Sequence, residues 1–183
     1  NRSGVHYRVE RVADGRLGIR PPLTAVKQVS ADVARAMLSD RLARGAFSGP
    51  VAARRRVAAP TPVWESLARA GAFDTCLPRR EALFAVRVIA PTPGAGGQEP
   101  LLEAPLDAPS LPTLAVGEQY AWDHAVARLS SLELHALDLV RDQLRELAAI
   151  TLWQLRRVAR KSRHRTAGLV VGRQRPGTAK GFA

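Results

Sequence analysis

A single cysteine, Cys76, leaves no partner for an internal disulfide in this chain of 183 residues, which suits a reducing, cytoplasmic setting. Aromatic residues are scarce at 5 %, so the 46 % of hydrophobic residues must build an alanine, leucine and valine core. No apolar run approaches the roughly 18–20 residues of a membrane span, and no secretory signal pattern occurs. A membrane is therefore not an expected partner. The histidines His6, His124, His135 and His164 are scattered and have no cysteine at ligand spacing, which argues against a zinc site. Asp123-His124 reads as the polar face of an amphipathic helix rather than part of a triad. Gly177-Thr-Ala-Lys-Gly181 lacks the leading glycine and the hydroxyl residue after Lys that a phosphate loop needs. No catalytic residue, no metal and no cofactor is expected in this segment.

The most informative absence is that of acids after Glu146. Residues 1–97 carry 16 Lys/Arg against 7 Asp/Glu, residues 98–146 carry 3 against 9, and residues 147–183 carry 9 against none. Two basic regions flank an acidic one, and the net charge is +12. Arginine supplies 25 of the 28 cations, a bias that a GC-rich genome produces together with Ala, Gly and Pro. Such a bias adds arginine but does not remove carboxylates. The layout suits a chain that touches a polyanion at two places.

Residues 3–20 alternate apolar and polar positions, with Val5, Tyr7 and Val9 on one side, and Asp14-Gly15 sits between two short runs. This pattern predicts a β-hairpin closed by Pro21-Pro22. Leu23, Val26 and Val29 form one short apolar face, and Ala34, Met37, Leu38 and Leu42 form another at helical spacing. Ser30 is a suitable N-cap, with Asp32 in the first turn and Gly45 at the end. A second helical pair follows: Thr61 as cap, Pro62, the stripe Val63, Leu67 and Ala70, a stop at Gly71, then Pro78 before Leu83, Phe84 and Val86. Residues 91–114 are rich in Pro and Gly and read as a linker or extended arm. Helices are expected again from Glu118, with stripes at Trp122, Val126 and Leu129 and at Leu137, Val140, Leu144 and Leu147. A short turn follows at Leu152–Val158, and a strand from Thr166. The carboxylates of 98–146 are expected on a solvated face. Neither the opening Asn1 nor that last, unpartnered strand looks like a natural end, so the chain is expected to be part of a larger protein.

Leu23-Thr-Ala-Val-Lys-Gln-Val-Ser-Ala-Asp-Val-Ala-Arg-Ala-Met37 fits the layout of a helix-hairpin-helix motif. In that motif the N–H groups of the hairpin and of the following helix point at a DNA phosphate. Lys27, Gln28, Val29 and Ser30 form the hairpin here, and Gln28 and Ser30 stand where glycines are usual, which makes close approach to phosphate harder. Two readings stay open for this turn: DNA contact, or a helical hairpin that only packs. The further DNA-binding candidates are the cluster Arg54, Arg55 and Arg56 and the tail cations Arg173, Arg175 and Lys180. An OB barrel begins with a strand and loop of the tail's kind and holds single strands on its face.

Taken in order, Val5–Arg20, the hairpin at 23–38, Leu67-Ala-Arg-Ala-Gly-Ala-Phe-Asp74 with Arg79-Arg-Glu-Ala-Leu-Phe84, Arg128-Leu-Ser-Ser-Leu-Glu-Leu-His135 and Ala167–Gly181 resemble the C-terminal region of bacterial C-family DNA polymerases, the replicative alpha-subunit type. Arg-Gln-Arg-Pro-Gly-Thr-Ala-Lys-Gly181 is similar to the error-prone, damage-tolerant branch. The resemblance implies a mainly α fold: a small β-hairpin and tandem helix-hairpin-helix domain (1–90), a Pro/Gly-rich linker (91–117), a helical connector (118–160) and the truncated first strands of an OB domain (161–183). It implies a non-catalytic segment that grips duplex DNA, and a single-stranded template as a further ligand. The metal-holding palm, with its Mg2+, would lie elsewhere in the parent polymerase. The family's sliding-clamp peptide would fall at Gln98-Glu-Pro-Leu-Leu102, where Gln98, Leu101 and Leu102 are the candidates and a plain linker is the alternative. A different class stays open: an interaction module docking its acidic helices on the clamp or on a mutagenesis accessory protein. A stand-alone helix-hairpin-helix repair factor is the third reading.

Overall fold

The computed structural model describes residues 1–12, 14–89, 109–158 and 161–172. These residues form two compact units, divided between Ser131 and Leu132.

The first unit opens with the hairpin. Strands β1 (Arg8–Arg11) and β2 (Leu17–Arg20) pair antiparallel, with Val9 opposite Ile19 and Glu10 opposite Gly18. Gly15 supplies the positive φ of +81° that the turn needs, and Asp14 Oδ1 accepts from the Arg16 N–H at 3.0 Å. One face of the ribbon carries Glu10, held by Arg20 Nε at 2.9 Å. The apolar positions Tyr7, Val9, Leu17 and Ile19 are exposed. The alternation therefore marks strands, but it does not mark which face packs on this unit.

After a 3₁₀ turn at Leu23–Ala25 comes α1 (Ala31–Arg44). Ser30 is its N-cap, with Oγ accepting from Val33 N–H at 3.2 Å, and Gly45 ends it at φ +78°. Ala34 and Met37 are buried, whereas Leu42 is 87 % exposed and leaves the expected stripe. A short helix not expected from the sequence, α2 (Pro50–Arg56), precedes α3 (Thr61–Arg69). Pro60, not Thr61, holds the N-cap of α3; the Thr61 hydroxyl instead accepts from Arg54 Nη2 at 3.0 Å. Helix α4 (Arg79–Phe84) starts after Pro78 and continues as a π-helical turn, Ala85–Ile89. Val29, Met37, Ala53, Val63, Trp64, Leu67, Phe73, Ala82 and Val86 meet in one core. Trp64 lies at its centre, with its indole N–H satisfied by the Ala59 carbonyl at 3.2 Å.

Helix α5 (Val116–Ala127) lies within this first unit. Its attachment is electrostatic as well as apolar. Asp123, expected on a solvated face, is buried, and its Oδ1 accepts from Arg79 Nη1. Asp123 Oδ2 accepts from Ser131 N–H at 2.9 Å and from the Ser130 hydroxyl at 3.1 Å. Arg79 also donates Nε to Asp74 at 2.9 Å and Nη1 to the Arg69 carbonyl at 3.1 Å. A Cβ on Gly71, at φ +76°, would stand 2.5 Å from Asp74 Oδ2 and 2.6 Å from Arg79 Nη2. Glycine is required there by both the backbone and this cluster. Burial lowers the Arg79 pKa, but Asp74 and Asp123 outweigh it and raise it.

The second unit holds a 3₁₀ turn (Ala136–Val140), α6 (Arg141–Glu146) and α7 (Leu152–Leu155). The stripe expected through Leu137, Val140, Leu144 and Leu147 is broken at the junction of the first two, and none of its residues is buried. A strand from Thr166 is not formed among the described residues 166–172; one parallel bridge, Ala149 with Arg165, is the nearest pairing. Val171 is 92 % exposed. A strand requires a partner for its ladder groups, and none of the described residues supplies one.

Candidate nucleic-acid interface

The hairpin between the first 3₁₀ turn and α1 is built from local chemistry. Val26 N–H bonds the Leu23 carbonyl and Val29 N–H the Val26 carbonyl, each at 3.1 Å, which draws the chain into a tight reversal. The reversal requires a left-handed residue, and Gln28 provides it at φ +72°. A non-glycine residue there is strained by about 1 kcal/mol. Val29 is buried and plugs the turn into the core that contains Met37 and Phe73. Its side chain is a packing group and its N–H is taken by the Val26 carbonyl, so Val29 shapes the turn and has no donor left for a phosphate.

The orphan donors of this turn lie close together. Ser30 Oγ satisfies Val33. The N–H groups of Gln28, Ser30, Ala31 and Asp32 have no acceptor among the described residues. They lie at the positive end of a fourteen-residue helix, the arrangement that accepts an anion. Lys27 and Gln28 are exposed beside them. Asp32 opposes an anion, but Arg35 Nη1 pairs with it at 2.6 Å and offsets its charge. The Lys27 N–H is fixed from outside the motif: it donates to the Val126 carbonyl at the end of α5, at 2.7 Å. No sequence spacing signals that contact, because it joins residues 99 apart on an element beyond the linker. It brings Arg128, exposed and at φ +54°, within two residues of the hairpin's neighbour.

The arginine cluster is not three cations on one surface. Arg54 is 2 % exposed; it donates Nη1 to the Val86 carbonyl and Nη2 to Thr61, joining α2, α3 and the π turn. Arg56 donates Nε to Asp40 at 2.7 Å and Nη2 to the Gly45 carbonyl at 2.8 Å, and it stacks over Phe47 with Cζ 4.5 Å from the ring centroid. Arg56 thereby closes the loop between α1 and α2. Arg55 alone of the three is exposed. Burial raises the Asp40 pKa, but Arg44 and Arg56 outweigh it and hold the carboxyl below the usual range. Arg173, Arg175 and Lys180, with Gln98, Leu101 and Leu102, lie outside the described residues.

A helix-hairpin-helix motif model matches residues 1–83, the span from the β-hairpin into α4. An error-prone DNA polymerase of Ruegeria pomeroyi is 34 % identical over 194 aligned positions, which take in 99 % of this chain and 16 % of that protein. The error-prone DNA polymerase of Caulobacter vibrioides is 38 % identical over 126 positions, 67 % of this chain and 12 % of the relative. That of Mycolicibacterium paratuberculosis is 31 % identical over 169 positions, 89 % and 15 % respectively. Over most of its length the chain is similar to one part of proteins named error-prone DNA polymerases. It spans about a sixth or less of the length of these relatives. Among the described residues no helix is long and apolar enough to cross a membrane, and no group of three or more His, Cys, Asp or Glu is placed to hold a metal ion.

Proposed function

We propose that this chain is a non-catalytic DNA-binding segment of an error-prone, translesion type of bacterial DNA polymerase, and that it grips template–primer duplex through phosphate contacts. The supporting observation is the hairpin itself. Four N–H groups between Gln28 and Asp32 lack acceptors among the described residues, Gln28 adopts the left-handed conformation usually given to glycine, and Val29 anchors the turn. Donors held this way bind phosphate without reading bases, so the contact is independent of sequence. Lys27, Gln28 and Ser30 form its centre, held in place by Val29, and Arg55 and the tail cations Arg173, Arg175 and Lys180 add charge. The chemistry of nucleotide transfer, with its carboxylates and Mg2+, belongs to the rest of the parent polymerase.

Fluorescence anisotropy of a labelled duplex across a salt series tests this. The expected result is binding at low salt whose logarithm falls linearly with log salt, by about 0.9 per phosphate neutralised. Lys27→Glu should weaken it. A flat salt response, or no binding in dilute buffer, removes the reading. A second reading then gains weight from the exposed apolar face of the β-hairpin at Tyr7, Val9, Leu17 and Ile19: a protein-docking module for the sliding clamp or an accessory protein.

A further inference from the structure

Residues 147–172 contain no carboxylate and six Lys/Arg residues. Within this run Trp153 is 61 % exposed and Leu152 70 %. Their exposure is not the result of a frayed end. Thr151 caps α7, with Oγ1 accepting from Gln154 N–H at 3.1 Å, while Gln154 Oε1 returns to Thr151 N–H at 2.8 Å. The cap fixes the turn that carries the indole. Arg157, one turn on, lays its guanidinium over the Trp153 ring, with Cζ 3.5 Å from the centroid. A second basic stretch, Lys161 to Arg165, is folded back beside the same turn. The Arg165 carbonyl accepts from Ile150 N–H at 2.9 Å, and Arg165 Nη1 donates to the Leu147 carbonyl at 3.2 Å.

A solvent-exposed indole backed by one guanidinium, in a cationic run, matches one ligand chemistry. A duplex hides its base faces in its own stack. A single strand offers a π face to an indole and one phosphate per nucleotide to the cations, without regard to sequence. A protein partner would have to bring its own acids to a stretch that has none. We infer that the second unit carries a single-stranded DNA site in which a base stacks at Trp153 and the phosphates run along Arg156, Arg157, Lys161, Arg163 and Arg165. The site rests on the DNA-binding reading for its ligand class but not on the hairpin.

The test uses the full chain with a labelled oligo(dT) and a labelled duplex, measured by anisotropy in dilute buffer. Trp153→Ala should bind oligo(dT) about tenfold more weakly, and Trp153→Phe should keep most of the affinity, because a phenyl ring still stacks. Neither variant should change duplex binding or the thermal midpoint, since the side chain is exposed. Quenching of tryptophan emission by oligo(dT) should largely disappear in Trp153→Phe, because Trp64 is buried and Trp122 is half-buried on α5 of the first unit. An RNA oligomer in a parallel arm separates DNA from any single strand. The proposal is overturned if wild type ignores oligo(dT), if Trp153→Ala binds it normally, if Phe is as damaging as Ala, or if the duplex is lost in step with oligo(dT). Duplex binding without a Trp153-dependent single-strand site leaves the hairpin reading in place and removes this one; the reverse result does the opposite.

Discussion

At the scale of single residues, arginine in this chain plays two opposed roles. Arg54, Arg56 and Arg79 are fastened inside the first unit, each by several acceptors, while Lys27, Arg55 and Arg128 stay in water. Composition does not separate the two sets, because the difference lies in which carbonyls and carboxylates the fold brings up. Asp40 is the test of this structural role. Its carboxyl is held below the ordinary range by Arg44 and Arg56 against the effect of burial, so the unfolded chain takes up the proton first as pH falls. The stability it contributes is present above about pH 4 and is lost as pH drops through the lower folded value. Thermal melts from pH 7 to pH 2 should show Asp40→Asn less stable than wild type at pH 7, with the gap closing below about pH 4. A gap that stays constant into acid would mean the charge of Asp40 is not what holds Arg56. Glu10, Glu65, Glu118 and Asp138 are also shifted down by arginine and hydrogen-bond partners, so the variant keeps part of the acid sensitivity.

At the scale of elements, what was legible in the sequence is what local backbone chemistry controls. Ser30, Gly45, Gly71 and Pro78 each mark a helix end, and each does so through a φ angle or an orphan donor that needs no distant partner. Helix α2 was missed because its consecutive arginines hide its period; it is held in the core through Arg54, whose partners are the Val86 carbonyl and Thr61. Asp123 was misread for the same reason, since its burial depends on Arg79, 44 residues away. The hairpin at 27–30 was legible, but its purpose was not, and Gln28 now allows the two readings to be separated. Gln28→Gly removes the strain of a left-handed side chain, an expected gain of about 1 kcal/mol, reduced by the greater freedom of glycine in the unfolded chain. If the turn meets phosphate, the same change lets the backbone approach more closely and duplex affinity rises. If the turn only packs, denaturant midpoints rise while anisotropy titrations superpose on wild type.

At the scale of the whole chain, the two units differ in what holds them. The first has a continuous core around Trp64 and a buried ion pair, Arg79 with Asp123, that joins α5 to α4. In the second, no described residue is buried, and its order rests on capped turns, short-range ion pairs and one bridge. Cooperative stability follows burial of apolar surface, so the units should not share one unfolding event. Hydrogen exchange read by mass spectrometry should find slow amides in residues 34–44 and 65–70, exchanging only on global opening. Peptides from 132–158 and 161–172 should exchange within seconds in the same sample. Protection of the second unit comparable to that of α1 and α3 would contradict the assignment of stability to the Trp64 core. If added oligo(dT) slows exchange around α7 and leaves α3 unchanged, single-strand binding orders the unit that lacks a core of its own, and the cost of that ordering is drawn from its affinity.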